Sequence, residues 1–218
     1  MLAGQSPKKK RTVLPSETFV PAGDIFEARV VTAPSDLPPI VSRALDLSRR
    51  RGFVTSSRLE TGRLLAALAA SRSGTLGECG TGCGVGAAWL SASARKGSSV
   101  VTAEVDPDLA DAVADLFADD PRVEVVNGDW SSLRERAPFS LLFLDVREAK
   151  ASGVDTVAEL VGPGGIAVLD DFTPCATWPP MYDGRVDVTR QQWFTDDRFT
   201  TVEVMVTSDA AVLLATRR

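Results

Sequence analysis

The chain contains no histidine. That absence removes the Ser-His-Asp triad, the Cys-His pair and every histidine-ligated metal from consideration. Chemistry must rest on carboxylates, lysine, tyrosine or positioning, and 218 residues hold a single tyrosine. Cysteine is almost as scarce, at Cys79, Cys83 and Cys175. An odd, sparse set points to free thiols in a reducing compartment rather than to a disulfide framework. Cys79 and Cys83 are spaced C-x3-C, but with no second cysteine pair and no histidine a structural zinc site is not expected. No apolar run approaches the roughly 20 residues of a membrane-spanning helix. The basic start, Met1 to Arg11, is followed by no apolar segment of signal-peptide type. A cytoplasmic protein without membrane attachment is the expectation.

Positive charge is also in deficit: 24 Lys and Arg face 29 Asp and Glu, a net −5. Affinity for a phosphate backbone needs clustered cations, so a nucleic-acid partner is not expected. The one basic cluster, Lys8-Lys9-Lys10-Arg11, reads as the solvated end of a polar tail. Elsewhere arginine outnumbers lysine and alanine is abundant, a usage typical of GC-rich bacterial genomes.

Hydrophobic residues make up 44% of the chain, enough for a sizeable core. Residues 1–35 read as an N-terminal extension with no sustained period, apart from a short segment at 25–31. Residues 36–218 read as one domain. Apolar spacing predicts helices over 38–50 and 58–71, the first stopped by Arg49-Arg50-Arg51 and Gly52. Short β-type runs then appear at 75–79, 99–105, 122–126, 140–145 and 165–170. Helical stretches at 85–95, 107–117 and 153–161, and a short one at 131–136, separate them. Strands alternating with helices mean βαβ units and a parallel sheet with right-handed crossovers. Leu141-Leu142-Phe143-Leu144 and Ile166-Ala167-Val168-Leu169 are apolar on both faces, as a sheet covered on both sides requires. The end changes pattern: strands over 200–207 and 211–216, turned at Ser208-Asp209, form a closing hairpin.

The strongest local signal is Glu78-Cys79-Gly80-Thr81-Gly82-Cys83-Gly84-Val85-Gly86, which follows a strand and opens a helix. Glycines there allow a tight turn, a close backbone approach to a ligand and free helix N–H groups. Gly82-Cys83-Gly84-Val85-Gly86-Ala87 also satisfies the G-x-G-x-x-G/A pattern of nicotinamide and flavin enzymes. Spacing does not separate the two ligand classes. In either case Glu104 lies about twenty residues on, where a carboxylate can accept hydrogen bonds from both ribose hydroxyls.

The residues around the loop separate them. Glu78 can meet an ammonium group or support the loop, whereas facing a pyrophosphate it would repel. Asn127-Gly128-Asp129-Trp130 offers a carboxylate for an adenine amino group and an indole to lie along a ring. With Thr102-Ala103-Glu104-Val105-Asp106-Pro107, Phe143-Leu144-Asp145 and residues 162–171, the set resembles the class I S-adenosylmethionine-dependent methyltransferases. The likeness is greatest to small-molecule O-methyltransferases of the catechol and caffeoyl-CoA type. It spans residues 58–171 and the terminal hairpin.

The resemblance implies a Rossmann-like, doubly wound α/β sheet of seven strands, with an antiparallel last strand. It implies that Gly80, Thr81, Gly82 and Gly84 cradle the methionine part and that Glu78 and Asp145 bound it. Glu104, with Val105 beside it, would hold the ribose, and Asp129 and Trp130 would frame the adenine. Thr55-Ser56-Ser57 would add contacts to the methionine carboxylate, while Asp106, ahead of Pro107, reads as a helix N-cap. In cation-dependent relatives an Asp-Asp-Asn set binds a divalent metal. The matching residues here are Asp145, Asp170 and Asp171, oxygen donors acceptable to Mg²⁺ or Ca²⁺. The third position departs from the pattern. So does Glu148, which stands where the family's lysine is usual, with Lys150 two residues further on. Asp145 and Lys150 are the candidate catalytic residues, the acceptor a small molecule bound beside residues 172–188. A non-catalytic S-adenosylmethionine-binding scaffold, an NAD(P)-dependent oxidoreductase and a user of a decarboxylated donor are the competing readings. Relatives often dimerise through N-terminal additions, so a homodimer is expected.

Overall fold

The computed structural model describes residues 37–54 and 56–218. The expected segment at 25–31, the basic cluster at 8–11 and Thr55 lie outside them. Two helices come first, α1 (Pro39–Arg51) and α2 (Leu59–Ser71). The first opens on a proline and closes on Gly52 in the left-handed region, φ 66°, which a Cβ would disfavour. There follow β1 (Thr75–Cys79), α3 (Val85–Ser93), β2 (Ser99–Glu104), α4 (Pro107–Leu116) and β3 (Val123–Asn127). A 3-10 turn (Trp130–Arg136) leads to β4 (Phe139–Leu144), α5 (Arg147–Ala151), α6 (Gly153–Leu160) and β5 (Val161–Phe172). A small hairpin of β6 (Met181–Tyr182) and β7 (Arg185–Val186) precedes α7 (Val188–Thr195), β8 (Phe199–Met205) and β9 (Ala211–Arg217).

The main sheet has seven strands in the order β3-β2-β1-β4-β5-β9-β8. Pairings from β3 through β5 are parallel, and β9 is antiparallel to both of its neighbours. The final strand therefore inserts between β5 and β8. Strand residues alternate between two cores. Leu141, Phe143, Ile166 and Val168 join α1 to α4 on one face, while Leu142, Leu144, Ala167 and Leu169 join α6, Trp193 and Phe199 on the other. That alternation is the two-residue period of a strand, and it explains why the central strands read as unbroken apolar runs.

The sequence reading missed α5, α7 and the β6–β7 hairpin. Helix α7 has no clean apolar stripe; Asp187 caps its start by accepting from Arg190 N, and burial of Arg190 and Trp193 holds it down. Tertiary contacts, not local period, decide that segment. Among the described residues no helix is long and apolar enough to cross a membrane.

Helices α2 and α3 touch at Gly62, where a Cβ would fall inside the buried Trp89 indole. Alanine gains about 1 kcal/mol of helix propensity, but overpacking against a rigid ring costs about 1–3 kcal/mol or more. Gly62→Ala is therefore expected to lower the melting temperature by roughly 5 °C at about 2–4 °C per kcal/mol. An unchanged or raised melting temperature would show that the indole has room to move.

Candidate active site

The sheet order reverses at β1, whose neighbours β2 and β4 lead away in opposite directions, and ligands of open α/β sheets sit beyond such a point. A cavity of about 280 Å³ lies there. The glycine loop forms its base: Gly80, Gly82 and Gly84 have φ of 94°, 52° and 79°, values that exclude ordinary side chains. A Cβ on Gly80 would strike Val146, and one on Gly82 would press on the Phe53 ring at 3.0 Å.

Beneath the loop lies Glu78, buried and off the cavity wall. Its carboxyl accepts from Thr102 Oγ1 at 2.6 Å and from the backbone N–H of Ala87 in the first turn of α3. Of its two foreseen roles the structure places it in the second, as a brace joining β1, β2 and α3. Burial pushes its carboxyl up to about 8, with Asp145 and Glu104 adding to the rise and the Thr102 hydroxyl opposing it.

That shift carries a pH dependence. Below the ordinary 4.5 the group is protonated in folded and unfolded chains alike, and the contribution to stability is complete. Between 4.5 and about 8 the unfolded chain ionises first, so stability falls by up to about 1.4 kcal/mol per pH unit. Above about 8 the loss is complete. Glu78→Gln should flatten this slope in denaturant unfolding at pH 5, 6.5 and 8; parallel wild-type and variant curves would show that Glu78 titrates normally.

Glu104, at the end of β2, lines the cavity and is 9% exposed. Its Oε2 accepts from Gly82 N at 2.8 Å and its Oε1 from Asp106 N at 3.0 Å, so both oxygens are oriented and each keeps a lone pair for a ligand. Asp106 caps α4 through Asp108 N and Leu109 N. Ser56 and Ser57 also line the cavity, and Ser57 Oγ donates to Asp145 Oδ2 at 3.0 Å. The apolar lining from Phe53, Leu109 and Val146 carried no motif and was not foreseen; Cys83 of the glycine loop lines the cavity with them.

Five expected cofactor residues lie off this wall. Besides Glu78, Gly84 backs onto Val113, Val105 is exposed, Asp129 caps the 3-10 turn through Ser131 N at 2.9 Å, and Trp130 packs on the second core. Asp129 and Trp130 nonetheless stand close by, since Glu104 pairs in register with Asn127 at the end of β3.

The acidic convergence is complete. Leu144 pairs with Leu169, which sets Asp145 and Asp170 side by side, and Asp171 turns back with φ 62°. One oxygen from each of Asp145, Asp170 and Asp171 lies within 4.8 Å of the others. Burial, helped by Asp170 and Asp171, pushes the Asp145 carboxyl up to about 7, and burial raises Asp170 as well. Lys150 answers the charge, donating to the Asp170 carbonyl at 3.0 Å and to Asp171 Oδ2 at 3.3 Å. Glu148, by contrast, faces solvent. A second cavity, of about 800 Å³, shares Asp171 with the first and is walled by Phe172 and residues 182–190.

Strand order, strand direction and loop position define the Rossmann-like fold of S-adenosylmethionine-dependent methyltransferases. The O-methyltransferase TomG from Streptomyces achromogenes, solved in complex with SAM, matches with a TM-score of 0.67 at 21% identity, over 84% of this chain and 92% of its own. An O-methyltransferase from Bacillus cereus in complex with SAH matches at 0.67 and 19%, over 86% and 94%. A SAH-bound methyltransferase of Podospora anserina matches at 0.66 and 20%, over 84% and 89%. At such identities the likeness establishes the shared fold. No family model matches the chain, and no curated protein does.

Proposed function

We propose that this chain transfers the methyl group of S-adenosylmethionine to an oxygen of a small-molecule acceptor. The observation that carries the reading is Glu104, oriented by the Gly82 N–H at the base of a cavity that ends on Asp145. In this reading the loop backbone and Ser56 receive the methionine part, Glu104 the ribose, and the adenine extends toward Asp129 and Trp130. Several neighbours of the fold hold SAM or SAH. The nicotinamide reading is disfavoured by the sheet, since a dinucleotide fold continues with a parallel sixth strand where β9 here runs antiparallel.

The sulfonium donor is already activated, so the protein's main task is to hold acceptor oxygen and methyl carbon in line. The C–O bond forms as the S–C bond breaks, leaving S-adenosylhomocysteine and a proton from the hydroxyl. Asp145 lines the donor cavity beside Asp171, the residue that the two cavities share, which supports it as the group that takes that proton where no cation is bound. Lys150 holds Asp171 in place. Three converging carboxylate oxygens fit a divalent cation such as Mg²⁺ or Ca²⁺, which would be held by Asp145, Asp170 and Asp171. Such an ion would supply acceptor orientation and acidify its hydroxyl. Composition supports a bacterial, cytoplasmic setting, and a homodimer is the proposed assembly.

Calorimetric titration with S-adenosylhomocysteine, with and without Mg²⁺ and beside NAD⁺, tests the reading. Micromolar S-adenosylhomocysteine binding supports it, and turnover on a hydroxylated acceptor separates an enzyme from a scaffold. Binding of NAD⁺ alone, or of neither ligand, overturns it.

A further inference from the structure

A line of three buried side chains runs from the sheet to the donor cavity, and the methyl-transfer chemistry does not use its hydroxyls. Glu78 Oε2 accepts from Thr102 Oγ1 at 2.6 Å, and Thr102 Oγ1 lies 2.5 Å from Thr81 Oγ1. Thr81 lines the cavity, and all three residues are at most 4% exposed. Backbone bonds hold the line in place: Gly80 N and Thr81 N both donate to Ala103 O, at 3.2 and 3.1 Å, which seats the loop on β2 beside Thr102. Gly86 makes room for the inner end, since a Cβ there would fall 1.9 Å from Glu78 Oε1. The neighbours of Thr102 on β2, Val100, Val101 and Ala103, are apolar, and a buried hydroxyl lowers stability unless it is hydrogen-bonded. Two such hydroxyls ending on a carboxyl call for an explanation beyond packing.

The direction of the line follows from its protons. A threonine hydroxyl has one proton and two lone pairs. While Glu78 is ionised, Thr102 gives its proton to the carboxylate, so only the Thr81 proton can fill the contact between the two hydroxyls. Thr81 then turns lone pairs to the cavity. Protonation of Glu78 reverses the line: the carboxyl donates to Thr102, Thr102 to Thr81, and the Thr81 proton points into the cavity. Resting on the methyl-transfer reading, we infer that Thr102 and Glu78 are positioning residues for the donor: through Thr81 they present a hydrogen-bond acceptor to the ammonium group of its methionine part. An ammonium has donors only, so it matches the ionised direction and opposes the other. Glu78 faces two further charged groups, Glu104 from β2 and Asp145 from the end of β4, while α3 carries none. Burial and those two acids keep the Glu78 proton in place up to about pH 8, so binding of the ammonium at neutral pH expels that proton to solvent.

The test needs no turnover. S-adenosylhomocysteine and its deaminated analogue, in which hydrogen replaces the ammonium group, are titrated by calorimetry. A hydrogen bond to a charged group is worth roughly tenfold or more in affinity. Thr81→Val should therefore cut the preference for S-adenosylhomocysteine over the analogue about tenfold or more. Thr102→Val, which leaves the Thr81 hydroxyl without a fixed direction, should cut it at least about threefold. Thr102→Ser, which keeps the hydroxyl, should show the wild-type preference, and affinity for the analogue should stay within about threefold throughout. Titrations at neutral pH in two buffers of different ionisation enthalpy count protons. Wild type should release about one on binding S-adenosylhomocysteine, and Glu78→Gln none. A preference that survives both valine variants overturns the inference, as does equal proton release from wild type and Glu78→Gln. If Thr102→Val does not fold, Thr81→Val makes the same comparison at the cavity surface. Wild type that binds neither compound would overturn the methyl-transfer reading as well, whereas binding with an unchanged preference overturns this inference alone.

Discussion

Glu104→Ala is expected to weaken S-adenosylhomocysteine binding about 100-fold or more, taking two charge-assisted hydrogen bonds at about 1.5–3 kcal/mol each. The wild-type carboxylate does two things at once. In the proposed reading it offers acceptors for the two ribose hydroxyls, and it fixes the loop through Gly82 N and Asp106 N. Alanine removes both and leaves those N–H groups facing the cavity. Because Glu104 sits at the surface of the site rather than in the core, the variant should fold, with a melting temperature close to wild type. Glu104→Gln, which keeps one carbonyl acceptor, should fall between the two. Calorimetry decides the matter: affinity within about threefold of wild type would place the ribose elsewhere and remove the observation on which the proposed function rests.

The largest effect on stability is expected at Arg190. Its guanidinium is 2% exposed, donates to the Thr173 carbonyl at 2.6 Å, lies over the Phe172 ring at 5.2 Å, and stands between Asp187 and Glu203. The contacts of Nε and Nη1 are charge contacts rather than aligned hydrogen bonds. That oblique geometry limits what the pair adds, yet removing the cation strands two largely buried carboxylates. Breaking a buried pair in this way costs about 3–5 kcal/mol, so Arg190→Ala should lower the melting temperature on the order of 10 °C. Acceptor binding should be lost with the shape of the 172–190 wall, while the donor cavity, built on β1, β2 and α3, should persist. A fall of less than about 2 °C would mean that the two acids find other partners.

Most of the fold was legible because its signals are local. Apolar runs at 75–79 and 140–145 alternate with amphipathic helices over spans short enough to read, and the observed strands begin and end within a few residues of those runs. The glycine loop was equally legible, since alternate glycines with positive φ are a backbone demand that a sequence cannot hide. Asp106 as a cap followed from its place before Pro107. Helix α7 was not legible, because buried Arg190 and Trp193, rather than a period, hold it in place.

The site divides along the same line. The residue types at the ends of β1, β2, β4 and β5 were set by the sequence alone, because strand ends are local. Their relations were decided by the tertiary structure. Register between β4 and β5 brings Asp145 beside Asp170, and a left-handed turn swings Asp171 in. Close packing of the loop on β2 makes Glu78 a brace rather than a ligand wall. The reach of a short helix lets Lys150, not residue 148, answer the acids. Insertion of β9 between β5 and β8 leaves the 172–190 segment to wall a second cavity and to bring Arg185 to the same wall as Arg147. Those contacts join residues 20 to 50 positions apart, and only a folded chain with fixed strand order can specify them.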